Sequence, residues 1–244
     1  MYSPSLRLSA TSVPILAKAQ LEHIAERYVQ EYHTAMDPDG CRINPATFAE
    51  QNLKLKLQYE WLSNNGCYLG MAVFHDDTVI PVYVPEKNAA KPLRLAKNTI
   101  LIDRSMQEAH KRNGEQFTIL HECAHQILHW AYYRHQKAVP CRREAVQPAF
   151  DPKTWTDEDR MEWQANYLAS ALLMPLSALN GMIKENDMLG YYEYRLGRGI
   201  SEYSAFNQAV MDVAFRFGVS NISAKIRLQS IGFGNEIREA LSIG

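Results

Sequence analysis

Hydrophobic residues recur at helical spacing in the first part of the chain. Between Ala17 and Tyr28 the apolar positions follow one face of a helix. We expect this helix to begin at Ser12, which can cap it, with Pro14 in its first turn. Asn44-Pro45 has the same arrangement of a capping residue and a proline, so it predicts the start of a second, short helix.

The period then changes to two, which is typical of β-strands. From Leu53 to Trp61 apolar and polar residues alternate, and this pattern predicts a half-buried strand with one face in solvent. Short apolar segments predict three more strands, at residues 68–75, 78–84 and 98–103. We expect the first two of these to form a hairpin that turns at Asp76-Asp77.

The second half of the chain has a helical pattern. One helix is predicted from Glu115 to about Tyr132. Another is predicted to follow Thr156, which with Asp159 resembles a capping box, and to end at Met174-Pro175. Between these two helices, residues 134–155 contain three prolines and are expected to be irregular.

Composition and charge exclude few classes of function, but they bear on the partners and the compartment that we expect. The chain has 244 residues, 46% hydrophobic and 22% charged, with a formal net charge of -1. This balance is that of an ordinary globular protein and does not steer it toward nucleic acid or an anionic membrane. No apolar segment is long enough to span a bilayer, and no signal-peptide pattern is expected. The cysteines form no C-x-x-C pair, and we interpret them as reduced thiols of a cytoplasmic protein: Cys41, Cys67, Cys123 and Cys141.

Residues 121–125 carry the chemistry, because they read His-Glu-Cys-Ala-His. Histidines four positions apart on a helix project from one face, about 40° apart around its axis, so His121 and His125 can bind one Zn²⁺ ion. Glu122 stands beside the first histidine and can take a proton from a water molecule at the metal. The H-E-x-x-H pattern thus predicts a zinc-dependent peptidase with Glu122 as general base.

The third metal ligand has to come from elsewhere in the chain. One class of zinc peptidases would need glycine at position 128 and histidine at position 131, but the sequence has Leu128 and Ala131. His129 lies about 12 Å along the helix axis from His121, so a polar contact or a hydrogen bond to a ligand is the better interpretation for it. A glutamate on a downstream helix is the remaining common solution.

Glu162 is the best candidate for that ligand. Alanines share its predicted helix face and would allow close approach to the motif helix. Asn166, one turn later, can hydrogen-bond a ligand imidazole and fix its orientation. Glu158 and Asp159 are rivals, although acids are expected in a first helical turn for capping and dipole reasons alone.

These residues resemble a known family. The sequence from Phe117 to His129, the Glu-x-x-Ala-Asn motif that begins at Glu162, and Leu-Leu-Met-Pro at residues 172–175 are similar to the ImmA/IrrE family of metallo-endopeptidases. The resemblance extends over roughly residues 60–232. It implies a zinc ion held by His121, His125 and Glu162, with Glu122 as general base. Members of that family are cytoplasmic proteases that cleave helix-turn-helix repressors and so switch on stress or mobile-element genes.

Together these observations predict an α+β, gluzincin-like fold. A small, mainly antiparallel sheet is expected beside the H-E-x-x-H helix, with a mostly helical C-terminal half. We divide the chain into an N-terminal helical segment (1–50), a zinc peptidase core (51–200) and a C-terminal hairpin (201–244). The expected partner is a protein substrate.

The C-terminal hairpin supports an alternative function. Helices predicted at residues 203–217 and 222–229 flank a turn at Gly218 and resemble a helix-turn-helix. A DNA-binding or non-proteolytic regulatory protein is therefore the alternative. The second helix offers mainly Lys225, Arg227 and Gln229, which is little positive charge for DNA. An oxyanion donor could be one of four tyrosines, which the sequence does not separate: Tyr132, Tyr133, Tyr191 and Tyr192.

Overall fold

The computed structural model describes residues 2–36, 42–135, 138–142 and 154–235. The chain divides into two compact units, Met1–Leu172 and Leu173–Gly244. The three segments assigned from the sequence follow other boundaries and stay a prediction. Within the described ranges, no helix is both long and apolar enough to cross a membrane.

Eight α-helices and six β-strands make up the described structure. The helices are α1 (Lys18–Met36), α2 (Pro45–Thr47), α3 (Arg112–Leu128), α4 (Asp157–Leu173), α5 (Leu176–Glu185), α6 (Met188–Gly197), α7 (Glu202–Phe217) and α8 (Asn221–Ser230). The strands are β1 (Lys56–Glu60), β2 (Tyr68–Val73), β3 (Thr78–Val84), β4 (Ala89–Leu95), β5 (Thr99–Asp103) and β6 (Ala138–Arg142). This is the predicted α+β class.

A four-stranded sheet supports the motif helix. Its strand order is β1-β5-β2-β6, with β1 parallel to β5 and the other two pairs antiparallel. Every residue of β5 is buried, and α3 packs on β2 and β5. The prediction of a small, mainly antiparallel sheet beside this helix is therefore confirmed.

The predicted hairpin at Asp76-Asp77 is wrong. Strand β2 has β5 on one side and β6 on the other, so it has no free edge for β3. Instead β3 pairs with β4 in a separate two-stranded sheet. Strand β4 was not predicted, because its first four residues, Ala89 to Pro92, are exposed and show no alternation of apolar and polar positions.

The N-terminal helix begins later than predicted, at Lys18. Ser12 has a φ of 68°, which is incompatible with the extended conformation of a capping residue. Leu8 and Pro14 form an isolated β-bridge instead, so the residues before α1 make a tight loop. The second start signal is confirmed, because the Asn44 side chain accepts a hydrogen bond from the backbone N–H of Thr47.

Other element boundaries also differ from the predictions. Strand β1 is shorter than Leu53–Trp61, because Leu53 closes a π-helical turn and Lys54 has a φ of 57°. Helix α3 ends at Leu128 rather than near Tyr132. The expectation of irregular structure at residues 134–155 is wrong for β6, and residues 143–153 lie outside the described ranges.

The helical C-terminal half follows its local signals. Thr156 and Asp159 exchange hydrogen bonds as a reciprocal capping box at the start of α4. Helices α7 and α8 occupy the predicted positions, with Gly218 at a φ of 63° ending α7 and Ser220 capping α8. Helices α5 and α6 were not predicted.

Candidate metal centre

Helix α3 presents both motif histidines from a buried face. The exposed fractions are 1% for His121 and 0% for His125, and Glu122 between them is also fully buried. The histidines lie one turn apart, and their rings stand 4.7 Å apart between centroids. Their Nε2 atoms are 3.0 Å apart, so both imidazoles direct the same nitrogen toward one point.

Glu162 of α4 brings a carboxylate to that point. One oxygen, Oε2, lies 3.4 Å from Nε2 of His121, and the other, Oε1, lies 3.4 Å from Nε2 of His125. The three possible ligand atoms all lie within 4.8 Å of one another. The Glu162 side chain is 27% exposed whereas the histidines are closed off, so the cluster opens to solvent on the Glu162 side.

Electrostatics keep these groups in the protonation states that a metal requires. Burial lowers the pKa of His125, which favours the neutral imidazole with its metal-binding lone pair. Burial alone would raise the pKa of Glu162, but its close contacts with the imidazoles of His121 and His125 outweigh this effect and hold the pKa well below its usual range. The carboxylate is therefore ionised. Deprotonated ligands are the condition for binding a divalent cation.

Asn166 contacts the first histidine from the next turn of α4. Its Oδ1 lies 3.0 Å from Nδ1 of His121. An amide oxygen can only accept, so Nδ1 carries the proton and Nε2 is left with a lone pair. The structure thus places Asn166 where the sequence argument expected it.

This geometry can be compared with known proteins. The family model for the M78 peptidases, described as the IrrE N-terminal-like domain, matches residues 82–229 of this sequence, which is more than half of the chain. The chain belongs to the ImmA/IrrE family. Its members are metallopeptidases, and the match includes both α3 and α4. A comparison with curated proteins gives no significant match.

The donor set fits the metal that this family implies. Two imidazole nitrogens and one carboxylate, open on one side, are the ligands of catalytic zinc sites, which keep a position for water or substrate. Cys123 is buried on the same helix but does not belong to this set of possible ligands. We therefore describe His121, His125 and Glu162 as a candidate metal-binding group of an ImmA/IrrE peptidase.

The rival acids are engaged in other contacts. Asp159 belongs to the capping box of α4. Glu158 accepts a hydrogen bond of 2.9 Å from the hydroxyl of Tyr132. Neither belongs to the candidate metal-binding group.

Strand β2 limits the space around Glu122. A Cβ atom at Gly70 would lie 2.7 Å from Oε1 of Glu122 and 2.8 Å from Cγ2 of Thr118, which are closer than real Cβ contacts allow. Gln126 ties the same two elements together, since its Nε2 donates to the carbonyl of Val73 at 3.0 Å. The close packing of β2 on α3 therefore depends on glycine at position 70.

Sequence reasoning missed two residues that lie near the site. Gly70 carries no local signal, because its role depends on a helix that packs on it from elsewhere in the chain. Gln164 hydrogen-bonds His129 through its Oε1 at 3.0 Å, and His129 in turn contacts His125. A polar contact was expected for His129, but the sequence does not show that Gln164 is the residue it contacts.

The tyrosines considered as oxyanion donors differ in position. Tyr133 is buried, and its ring lies 6.1 Å from that of His125. Burial and the charge of Glu162 raise the pKa of Tyr133, so its phenol keeps its proton. Tyr132 is engaged with Glu158, and Tyr191 and Tyr192 belong to the second compact unit.

Proposed function

We propose that this chain is a zinc-dependent endopeptidase. The observation that carries the proposal is that the possible ligand atoms of His121, His125 and Glu162 lie within 4.8 Å of one another, with Glu122 next to His121 in the chain. Membership of a metallopeptidase family supports it. The three converging residues hold the ion, which when bound lowers the pKa of a water molecule and polarises the carbonyl group of the scissile peptide bond.

Glu122 is the proposed general base. Its carboxylate takes a proton from the attacking water and delivers it to the nitrogen of the leaving amine. Packing against Gly70 of β2 holds the side chain in place while it does so. Tyr133 is the best placed of the tyrosines to stabilise the developing oxyanion, because it is buried beside His125 and protonated.

The proposed substrate is a helix-turn-helix repressor in the cytoplasm. Its cleavage would derepress stress or mobile-element genes. This part of the proposal rests on the resemblance to the ImmA/IrrE family, whose members act on such repressors. Zinc dependence, by contrast, is supported by the residues of this chain.

The exposed residues of α8 do not favour the DNA-binding alternative. Arg227, one of the few basic residues considered for DNA, is only 1% exposed and donates through Nε to the carbonyl of Met174 at 3.0 Å. Ile222 and Ile226 on the same helix are 72% and 50% exposed. Lys225 remains exposed on this helix, but a single lysine beside two exposed isoleucines supplies little of the phosphate contact that DNA binding requires.

Cleavage of a repressor panel tests the proposal. Zinc-loaded protein is incubated with helix-turn-helix repressors encoded near its gene, and intact-mass spectrometry identifies new termini. We expect cleavage that stops with a chelator and is absent for Glu122→Gln. Hydrolysis of unstructured peptides without cleavage of any repressor would contradict the substrate class alone. No hydrolysis of either, by protein that holds zinc, would contradict the peptidase and favour a non-proteolytic regulator.

A further inference from the structure

We propose that Pro14, Gln164 and His129 form a hydrogen-bonded relay that fixes the tautomer of His125 and so directs its Nε2 lone pair to the metal. We call these residues the Pro14 relay. The inference rests on the zinc site proposed above, but it concerns positioning rather than the reaction. It adds three residues to the site, one of which lies before the region matched by the family model.

The first step is the orientation of the Gln164 amide. Its Nε2 lies 2.7 Å from the backbone carbonyl oxygen of Pro14, a group that can only accept a hydrogen bond. This contact requires the NH₂ end of the amide to face Pro14. The Oε1 end therefore faces His129, at 3.0 Å from its Nε2.

The second step is the tautomer of His129. The amide oxygen of Gln164 only accepts, so Nε2 of His129 must carry the proton. A neutral imidazole has a single N–H, and complete burial of His129 disfavours the charged form. Its Nδ1 is therefore a hydrogen-bond acceptor.

The third step passes this constraint to the metal ligand. Nδ1 of His125 lies 3.0 Å from Nδ1 of His129, and because the latter accepts, His125 must donate from Nδ1. Its Nε2 then has no proton and presents a lone pair. This is the atom that lies 3.4 Å from Oε1 of Glu162 and 3.0 Å from Nε2 of His121.

Burial makes the relay effective. His125 and His129 have no exposed surface and Gln164 is 3% exposed, so solvent is excluded from these hydrogen bonds. Pro14 is held by a closed loop, in which the backbone N–H of Ile15 donates to Arg7 at 2.9 Å and Leu8 bridges Pro14. The N-terminal loop thus acts on the metal site through one backbone carbonyl.

Long-range ¹H–¹⁵N spectra of metal-free protein with ¹⁵N-labelled histidine test the relay directly, at a pH where the rings are neutral. We expect His125 to carry its proton on Nδ1 and His129 on Nε2. A spectrum with His129 protonated on Nδ1, or with either ring averaging between tautomers, would overturn the relay. This result requires no variant and no enzyme activity.

Two matched variants extend the test. Gln164→Met removes the two relay hydrogen bonds that Gln164 makes, at similar side-chain size, and we expect mixed His125 tautomers and about 10- to 100-fold weaker zinc binding in competition with a chromogenic chelator. Gln126→Met is the control: it removes the hydrogen bond from a glutamine of α3 to the carbonyl of Val73, and should change neither the tautomers nor the zinc affinity. Equal zinc affinities for the two variants would contradict the relay. Failure of the wild-type chain to bind zinc would instead contradict the proposed function.

Discussion

Gly70 of β2 and Glu122 of α3 pack so closely that no side chain fits between them. A Cβ atom at position 70 would stand 2.7 Å from a Glu122 carboxylate oxygen. The strand thus forms one wall of the space in which the proposed general base is held. This relationship links the sheet to the reaction, because any displacement of the carboxylate changes its reach toward water and the leaving amine.

Gly70→Ala is therefore expected to lower kcat by about 100-fold, the effect of misplacing a catalytic group by about 1 Å, with zinc binding retained. Peptide hydrolysis and zinc content measured on the same sample check this. The control is Gly181→Ala in α5, where an added Cβ meets no atom within 4 Å. Unchanged hydrolysis by the Gly70 variant would show that Glu122 needs no such packing.

Glu122→Gln is expected to reduce hydrolysis by at least about 100-fold, because it removes the group that transfers the proton. Zinc content should stay at the wild-type value, since Glu122 does not belong to the candidate metal-binding group. Steady-state cleavage and elemental analysis measure the two effects. Near wild-type hydrolysis would assign the base to another residue.

The metal-free protein should lose stability in mild acid. The native pKa values of His125 and His129 are lowered, mainly by burial, relative to about 6.5 in the unfolded chain. Below that pH the unfolded chain binds protons that the native state excludes, so the free energy of unfolding falls as pH decreases. Urea denaturation from about pH 8 to about pH 5.5 measures the fall, which we expect to exceed about 1 kcal/mol.

Two histidine variants control this pH experiment. His129→Gln should reduce the dependence, whereas His110→Gln, at a side chain that is 73% exposed, should leave it unchanged. A free energy of unfolding that is constant or rises as pH falls through this window contradicts the assignment of buried, neutral rings.

Local signals predicted the parts of the fold that local physics determines. The capping box at Thr156, the cap at Ser220 and the glycine turn at Gly218 are satisfied within a few residues, and the structure contains all three. Strand pairing is different, because β3 could join only a strand with a free edge and the sequence does not show which edges are occupied. The hairpin at Asp76-Asp77 was wrong for this reason.

The candidate site shows the same division. His121, Glu122 and His125 lie within five residues of one helix, so their spacing alone predicted a common face. Glu162 was chosen by position, and rival acids one turn away could not be dismissed until the packing of α4 was known. The contact between Gln164 and Pro14 spans 150 residues and involves a backbone carbonyl, which carries no sequence signal.

Zinc binding by three proteins tests the central claim most directly: the wild-type chain, Glu162→Ala and Glu158→Ala. We expect about one zinc ion per wild-type chain by elemental analysis, because three ligands converge at one open position. Competition with a chromogenic chelator should show affinity weaker by orders of magnitude for Glu162→Ala and nearly unchanged for Glu158→Ala. A wild-type chain that takes up less than about a tenth of an equivalent of zinc would contradict the account. Loss of zinc from Glu158→Ala with retention by Glu162→Ala would contradict the assigned ligand set.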